Sequence, residues 1–600
     1  MTYREKKSTK QKAPLMKKLT PEQEAFLEAE GKIVLCACPG SGKTFIVARK
    51  LLKYVENWEY AHRGVAVLSF TNVASQEIDK QTKELMPEGY RIEYPHFIGT
   101  IDSFIDSFIL LRFGYLMQEG SRKRPVILHE NYGEIRFYTK NKECHARGCI
   151  SNPFEFHWSS DGKLLRNGKK VDCSITTKKP CVAFKQAMIK KGFVTQNEAT
   201  ALSYRLLKKY PQIVDAIVRR FPIVMIDEAQ DTSKEQMEII DLLTDAGVKT
   251  IILVGDPDQS IYEWRNATPE FFIAKVKDDN WKTMWLTSNF RSSQLICNAT
   301  QVFSHSLASR QPSKAEGEFA LYQQKPILLN YSNQTDKSDI INKFKELCQE
   351  NGIEWTPSKI AVLTRAKIHK GIDIDGLWKS PEVESLAKAS YEWYKGSRRK
   401  AFSLCEKVLY SLTIGDIGDI KHEIRQVIEN IMPYENWRKH VVKLLVSLPD
   451  PNIKLSDWVK SMLSTITNII QSAEDISLIP AISLQDKIKI KLRDTKNPGF
   501  QSIPLRNYIE KRDENDITLS SVHGVKGETY DAIMLIIEGI KGNTLTPTMI
   551  DTAPLDSELI RIAYVAMTRP RKLLVVALPV MKNNKSFKRL PLDKWIYTQI

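Results

Sequence analysis

The chain has 600 residues, and 88 Lys and Arg against 71 Asp and Glu give it a formal net charge of +17. At about 150 residues per domain the length predicts roughly four domains, and a composition of 42% hydrophobic and 26% charged residues excludes wholesale disorder and a fibrous repeat. No apolar run approaches the ~20 residues of a bilayer span, the first residues carry no apolar stretch of a secretory signal, and the odd, scattered set of nine cysteines fits reduced thiols rather than a disulfide framework. A cytoplasmic protein is expected. The basic excess points to a polyanionic partner, nucleic acid before acidic membrane, although each cluster taken singly, such as Arg398-Arg399-Lys400, reads as solvated surface.

Taken in chain order, Ile33-Val34-Leu35 predicts a short strand that runs through a glycine-containing turn into a helix from Thr44 to about Val55. Further apolar runs at Val65 to Leu68, Ile223 to Ile226 and Ile251 to Val254 end in polar residues, the pattern of buried parallel strands with active groups at their carboxyl ends. From Asp102 to about Thr200 aromatic and polar residues mix without a persistent helical period, which predicts an insertion in the α/β core. From about Lys367 to Leu505 the pattern favours amphipathic helices, for example Phe402 to Leu412 and His422 to Met432. Strands are expected again at Ala361 to Thr364, Ile517 to Val522, Ala532 to Ile536 and Leu573 to Ala577.

Between the first strand and first helix stands Ala37-Cys38-Pro39-Gly40-Ser41-Gly42-Lys43-Thr44. Backbone N–H groups of such a loop can cradle phosphates, Lys43 can reach the β and γ groups, and the Thr44 hydroxyl can ligate Mg²⁺. After a second strand comes Asp227-Glu228-Ala229-Gln230-Asp231. Asp227 at a strand end suits the Mg²⁺ sphere, and Glu228 can orient and deprotonate an attacking water. Zinc is not expected, since Cys144-x4-Cys149 and Cys173-x7-Cys181 lack the tight paired spacing of zinc ribbons.

Around these two segments lie Leu19 to Gln23, Val67 to Ala74, Gly99 to Phe104, Val254 to Arg265, Asn289 to Ser292, Thr518 to Asp531 and Arg561 to Arg569. In this order the set resembles the motifs of UvrD/Rep/PcrA-like superfamily 1 DNA helicases, from Leu19 to Arg571. The resemblance implies an α/β fold with two RecA-like P-loop NTPase motor domains, each carrying an inserted subdomain. The expected limits are 1–101 with 201–285 for the first motor domain, 102–200 for its insert, 286–366 with 506–600 for the second motor domain, and 367–505 for its mainly helical insert.

The resemblance also implies roles. Gln23 would bond the adenine edge, Gly40, Ser41, Gly42, Lys43 and Thr44 would hold phosphate, Gln259 would sense the γ-phosphate, Phe290 would stack on adenine, and Arg291 and Arg569 would contact the γ-phosphate. Phe45 stands where the family commonly has an adenine-packing Arg, and Glu528 lies one position from the family's ribose-binding Glu. On the strand side it implies Phe70, Thr71, Asn72, Thr100, Tyr262, Trp264 and His523, with base stacking at Phe70 and Trp264; Asp102 replaces the usual His after Thr100. Expected ligands are ATP, Mg²⁺, single-stranded DNA and its junctions with duplex, and movement 3′ to 5′ follows from the resemblance alone. A DNA-stimulated ATPase switch without processive unwinding is the alternative. Compact members of the group include helicase components of Gabija-type phage defence, and the short stretch after Arg569 is too small for a fused nuclease, so any nuclease is expected to be a separate subunit.

Overall fold

Strands buried on both faces must be apolar along their whole length, and this requirement explains why the expected runs do not alternate. In the computed structural model they form two six-stranded sheets in which every pairing is parallel. The structure describes residues 19–86, 92–117, 124–128, 156–166, 169–170, 180–190, 192–262, 267–306, 311–332, 335, 337–364, 381–413, 428–429, 432–471, 504–506, 518–537, 545–580 and 587–600.

The first sheet consists of β1 (Lys32–Ala37), β2 (Val65–Ser69), β3 (Phe97–Thr100), β4 (Ile223–Ile226), β5 (Thr250–Gly255) and β6 (Lys282–Leu286), in the order β6-β1-β5-β4-β2-β3. The second consists of β7 (Ile327–Tyr331), β8 (Ile360–Thr364), β9 (Thr518–Ser521), β10 (Tyr530–Ile536), β11 (Pro570–Pro579) and β12 (Ile596–Gln599), in the order β9-β8-β10-β11-β7-β12. Helices α1 (Pro21–Glu28), α2 (Lys43–Glu56) and α3 (Asn72–Leu85) belong with the first sheet, and α2 and α3 follow directly on the β1 and β2 turns. A parallel sheet collects these turns at the carboxyl ends of its strands, so β1, β2, β4 and β5 deliver their polar residues to one rim.

Strands β3, β6, β7 and β12 were not among the sequence expectations. Three lie at sheet edges and are half-exposed, so their sequences lack a fully apolar run. β7 is internal, but its short Ile327-Leu328-Leu329 run ends in Asn330 and Tyr331. The segment expected to lack helical period also differs. Ile101–Ile105 is α-helical, Asp106–Leu110 is a π-helical turn, and further helices span Pro180–Lys190 and Gln196–Lys209. The π turn shifts the buried pair Phe104 and Ile105 to Ile109 and Leu110, a five-residue step that erases the usual spacing. Phe97, Phe104, Phe108 and Phe221 then cluster with ring centroids 4.8–5.8 Å apart.

Residues 381–471 supply α4 (Pro381–Tyr394), α5 (Arg398–Thr413), α6 (Tyr434–Val446) and α7 (Leu455–Gln471). Their core is built around Trp437 and Trp458. The Trp458 Nε1–H donates to Ser390 Oγ at 3.2 Å and the Pro449 carbonyl at 3.2 Å, so the indole closes without a stranded polar atom. The helix expected over 422–432 lies outside the described residues except at 428–429 and 432. Among the described residues no helix is long and apolar enough to cross a membrane.

Trp437 is fully buried in this helical unit. Trp437→Ala is expected to destabilise the unit by about 3–5 kcal/mol, so limited proteolysis should cut within residues 381–471 at lower urea than in the unmodified chain.

Candidate functional site

The turn after β1 needs two left-handed residues, and glycine fills both: Gly40 has φ 75° and Gly42 φ 79°. Gly42 caps α2 without a side chain to satisfy the first-turn N–H groups, which leaves them for an anion. Ser41 is buried and its Oγ has no hydrogen-bond partner, a donor that a phosphate oxygen would satisfy. Across the rim, the Thr44 hydroxyl donates to Asp227 Oδ2 at 3.3 Å. A hydroxyl and a carboxylate beside a phosphate loop are the residue types that would hold Mg²⁺.

Glu228 follows Asp227 in the left-handed region (φ 54°), alone in this among the described non-glycine residues. Such a conformation costs of order 1–3 kcal/mol and persists only where the surroundings fix it. Here the Glu228 N–H donates to Asp227 Oδ1 at 3.0 Å, and Gln230 Nε2 donates to Glu228 Oε2 at 2.6 Å. Burial, and then the Glu228 charge, pushes the Asp227 carboxyl well up from its usual range. Burial also opposes ionisation of Glu228, but the Lys43 and Lys526 charges and the Gln230 hydrogen bond outweigh it and hold this carboxyl low. The surrounding cations thus favour the ionised form at Glu228, the form able to accept a proton.

The second sheet contributes cations to the same rim. Arg569, which follows α8 (Glu558–Met567), donates through Nη2 to Gln259 Oε1, and the Gln259 amide in turn donates to Asp256 Oδ2 at 2.7 Å. Arg291 donates through Nη1 to the Thr568 carbonyl at 3.0 Å. Burial, then the neighbouring Arg569 charge, lowers Arg291 to about 9. A buried and a half-buried guanidinium group that disfavour each other attract an anion able to accept from both. The linker between the sheets is pinned to the phosphate loop, with Cys38 N–H donating to the Leu286 carbonyl at 3.0 Å and Phe290 N–H to the Gly40 carbonyl at 2.8 Å.

Other expected residues take positions that the sequence did not foretell. Gln23 is 3% exposed, with Oε1 accepting from Thr20 N–H at 3.2 Å and Nε2 donating to the Ser41 carbonyl at 3.3 Å. It braces the loop, with both ends of its amide already engaged. Phe45 carries the Arg49 guanidinium 5.2 Å from its ring centroid, so a cation stands one helical turn beyond the position the family pattern gives it. Phe290 is 37% exposed, a free face beside the loop. Glu528, expected on ribose, accepts from the Tyr530 hydroxyl.

On the β2–β3 side, Thr71 caps α3 by accepting from Ala74 N–H at 3.2 Å, exposed Asn72 opens that helix, and Thr100 caps the next helix by accepting from Ser103 N–H at 3.1 Å. Phe70 is half-buried and packs on Tyr262 with ring centroids 5.1 Å apart. Tyr262, expected on the strand side, is 9% exposed and supports the Phe70 ring from beneath. His523 likewise sits between the sheets, its Nε2 2.8 Å from the Ile261 carbonyl. Trp264, Cys144, Cys149 and Cys173 lie outside the described residues, and among the described residues no group of three or more His, Cys, Asp or Glu forms a metal cluster.

Sequence reasoning passed over Gln230, Asp231, Lys526, Arg561 and Asn289. Lys526 pairs with Asp231 and donates to the Gln259 carbonyl at 2.8 Å. Arg561 donates through Nε to the Ser260 carbonyl at 2.6 Å, and Asn289 Oδ1 accepts from Arg291 and Ser292 N–H at 2.8 and 2.9 Å. A lone Lys or Arg in a loop reads as solvated surface; its burial arises only when the sheets dock.

Comparison with known proteins gives two family matches that together span well over half of the chain: the UvrD/REP helicase N-terminal domain over residues 19–280 and the UvrD-like helicase C-terminal domain over residues 417–579. The chain is 26% identical to Gabija protein GajB of Bacillus cereus strain VD045, over 68% of this chain and 74% of that protein. It is 23% identical to an ATP-dependent DNA helicase PcrA of Staphylococcus epidermidis, over 94% of this chain and 83% of the relative. With an ATP-dependent DNA helicase Rep of Buchnera aphidicola it shares 22% identity over 92% of each chain.

A methyl group at Gly40 would lie 2.7 Å from Asn289 Oδ1 and 2.8 Å from Arg291 Cβ. Gly40→Ala is expected to cost about 1–2 kcal/mol in backbone strain and to disturb Arg291 as well, raising the KM for ATP. Gly31→Ala shares the positive φ but has nothing within 4 Å. It should lower the melting temperature without moving KM, and steady-state ATPase with thermal melts of both variants checks the contrast.

Proposed function

Because the chain belongs to the UvrD/Rep family of ATP-dependent DNA helicases, we propose that it binds single-stranded DNA and couples ATP hydrolysis to 3′ to 5′ movement and strand separation at junctions with duplex. One observation carries the reading: Arg569 of the second sheet reaches Gln259 of the first, beside the phosphate loop. A γ-phosphate bound there would meet groups from both sheets, and its loss would remove the anion they share.

In this reading Gly40, Ser41, Gly42, Lys43 and Thr44 hold the phosphates, while Thr44 and Asp227 hold Mg²⁺. Bound Mg²⁺ would neutralise charge on the β and γ oxygens. Glu228 orients and deprotonates water, Gln259 reports the γ-phosphate, and Arg291 and Arg569 stabilise charge as it shifts to the leaving group. Phe45 and Phe290 offer ring faces to the base, Gln23 acts through the loop, and Glu528 is the candidate for ribose. The strand path runs over Phe70, Thr71, Asn72 and Thr100, with Trp264 stacking a base and His523 beside it.

We assign the first motor domain to 1–101 and 201–285, its insert to 102–200, the second motor domain to 286–366 and 506–600, and the helical insert to 367–505. A second reading, supported by the likeness to a Gabija protein, is a motor that works beside a separate nuclease subunit and unwinds little by itself.

Single-stranded DNA is expected to stimulate ATPase, with the stimulation weakening as salt rises. Lys43→Ala and Glu228→Gln should each lower kcat by at least about a hundredfold, and chelation of Mg²⁺ should stop turnover. Rates with single-stranded DNA, duplex DNA and single-stranded RNA measure this; equal rates with and without DNA reject the motor. Strand displacement on a tailed duplex separates the two readings.

A further inference from the structure

Lys526, whose charge already bears on Glu228, stands at a junction between the ATP site and the strand path. Its side chain, 8% exposed, pairs through the ammonium with the side chain of Asp231, 1% exposed, across the two sheets. The same nitrogen donates to the backbone carbonyl of Gln259 at 2.8 Å and lies 4.8 Å from the ring centroid of Tyr262. Taking two charges out of water costs several kcal/mol per ion before their attraction is counted, and the further contacts help to offset that cost.

Followed in one direction, the contacts reach the water-activating carboxylate. Asp231 Oδ2 accepts from Gln230 Nε2 at 3.4 Å, and the same amide nitrogen donates to Glu228 Oε2 at 2.6 Å. Gln230 cannot shift freely: its Oε1 accepts from Asp256 N–H at 3.0 Å, and its backbone carbonyl accepts from Ser260 Oγ at 3.1 Å. The fit is close enough that a methyl on Gly255 would lie 2.4 Å from Gln230 Oε1. Followed in the other direction, the contacts reach the strand side, because the Tyr262 ring packs on Phe70. Glu228, Gln230, Asp231, Lys526, Tyr262 and Phe70 thus form one unbroken chain of contacts, and Lys526 is its one member from the second sheet.

Resting on the motor reading above, we infer that Lys526 is the positioning residue through which an occupied strand path sets Glu228 for hydrolysis. A base pressing on Phe70 loads the Tyr262 ring, which fixes the ammonium against Asp231 and Gln259 and so fixes the Gln230 amide that aims Glu228. Lys526 needs neither to touch DNA nor to touch nucleotide. Coupling through packed side chains of this kind requires an element with two arrangements, here the docking of one sheet's rim on the other.

The test is the stimulation ratio, the ATPase rate with saturating poly-dT divided by the rate without it. Lys526→Met keeps the length and can still pack on Tyr262 but cannot pair with Asp231, and it should lower the ratio by roughly five- to 150-fold, the usual range of coupling between sites. Lys526→Arg, which retains charge and donors, should restore most of it. Asp231→Asn should lower the ratio similarly, and the double variant with Lys526→Met should be no worse than either single. Fluorescence anisotropy on labelled poly-dT should show little change in affinity for Lys526→Met. If Lys526→Met fails to fold, Tyr262→Leu must lower the ratio and Tyr262→Phe must keep it. Rates that fall equally with and without DNA, leaving the ratio intact, would show a purely structural pair and overturn the inference. An unmodified chain without any stimulation refutes the motor reading and this inference together, whereas normal stimulation in both the unmodified chain and Lys526→Met overturns this inference alone.

Discussion

Charge balance in the cleft between the two sheets is the constraint on which the rest depends. Asp227, Glu228, Asp231 and Asp256 come from the first sheet's rim, and Arg291, Arg569 and Lys526 meet them from the second side, with Lys43 at the phosphate loop. Each of these charges would cost several kcal/mol if buried alone. The first sheet supplies part of their partners, Thr44 and Lys43 for Asp227 and Gln259 for Asp256, while Asp231 meets Lys526 and Gln259 meets Arg569 across the cleft. Docking the sheets therefore completes the balance, and an anion bound between them would enter it.

The parallel topology makes this balance possible at one place. Because β1, β4 and β5 lie side by side, their carboxyl ends set the phosphate loop, the Asp227-Glu228 pair and the Asp256 to Gln259 turn along a single rim. Asp258 adds a mechanical tie, accepting from Ser304 Oγ at 2.6 Å and from His305 N–H at 3.0 Å. The linker is held at the same rim, where Glu22 accepts from the Thr287 N–H at 2.7 Å. The second side is thus tied to the phosphate loop through backbone groups and not only through long side chains.

Much of this was legible in the sequence, and the gaps have physical causes. Wherever a strand is buried on both faces, as at β1, β4 and β5, its apolar run is visible. Edge strands β3 and β6 expose one side and show no such run. The π turn at Asp106–Leu110 hid a helix by changing its period. Lys43, Asp227 and Glu228 were singled out from loop and strand-end chemistry and Gln259, Arg291 and Arg569 from the resemblance, and the fold brings these residues to one rim. Local sequence could not disclose that Gln23 spends both amide ends on Thr20 and Ser41, or that Tyr262 lies beneath Phe70. Those facts belong to tertiary contacts, and aromatic residues bury large surface as readily as they stack on a base.

The net charge of +17 divides on the same grounds. Some cations are structural: Lys50 is fully buried and donates to the Leu27 and Ala29 carbonyls, and Lys185 pairs with Glu198 at 2.8 Å. Others sit in the cleft against carboxylates. Neither group can attract a distant polyanion, because a charge neutralised at contact range contributes little field beyond a Debye length. Long-range attraction is left to exposed cations, of which Arg398 and Arg399, at the turn that opens α5, are examples. That turn is in the helical unit, outside the cleft where phosphate chemistry is set. Attraction of nucleic acid and turnover of nucleotide therefore draw on separate sets of cations, and salt should weaken the first without dismantling the second.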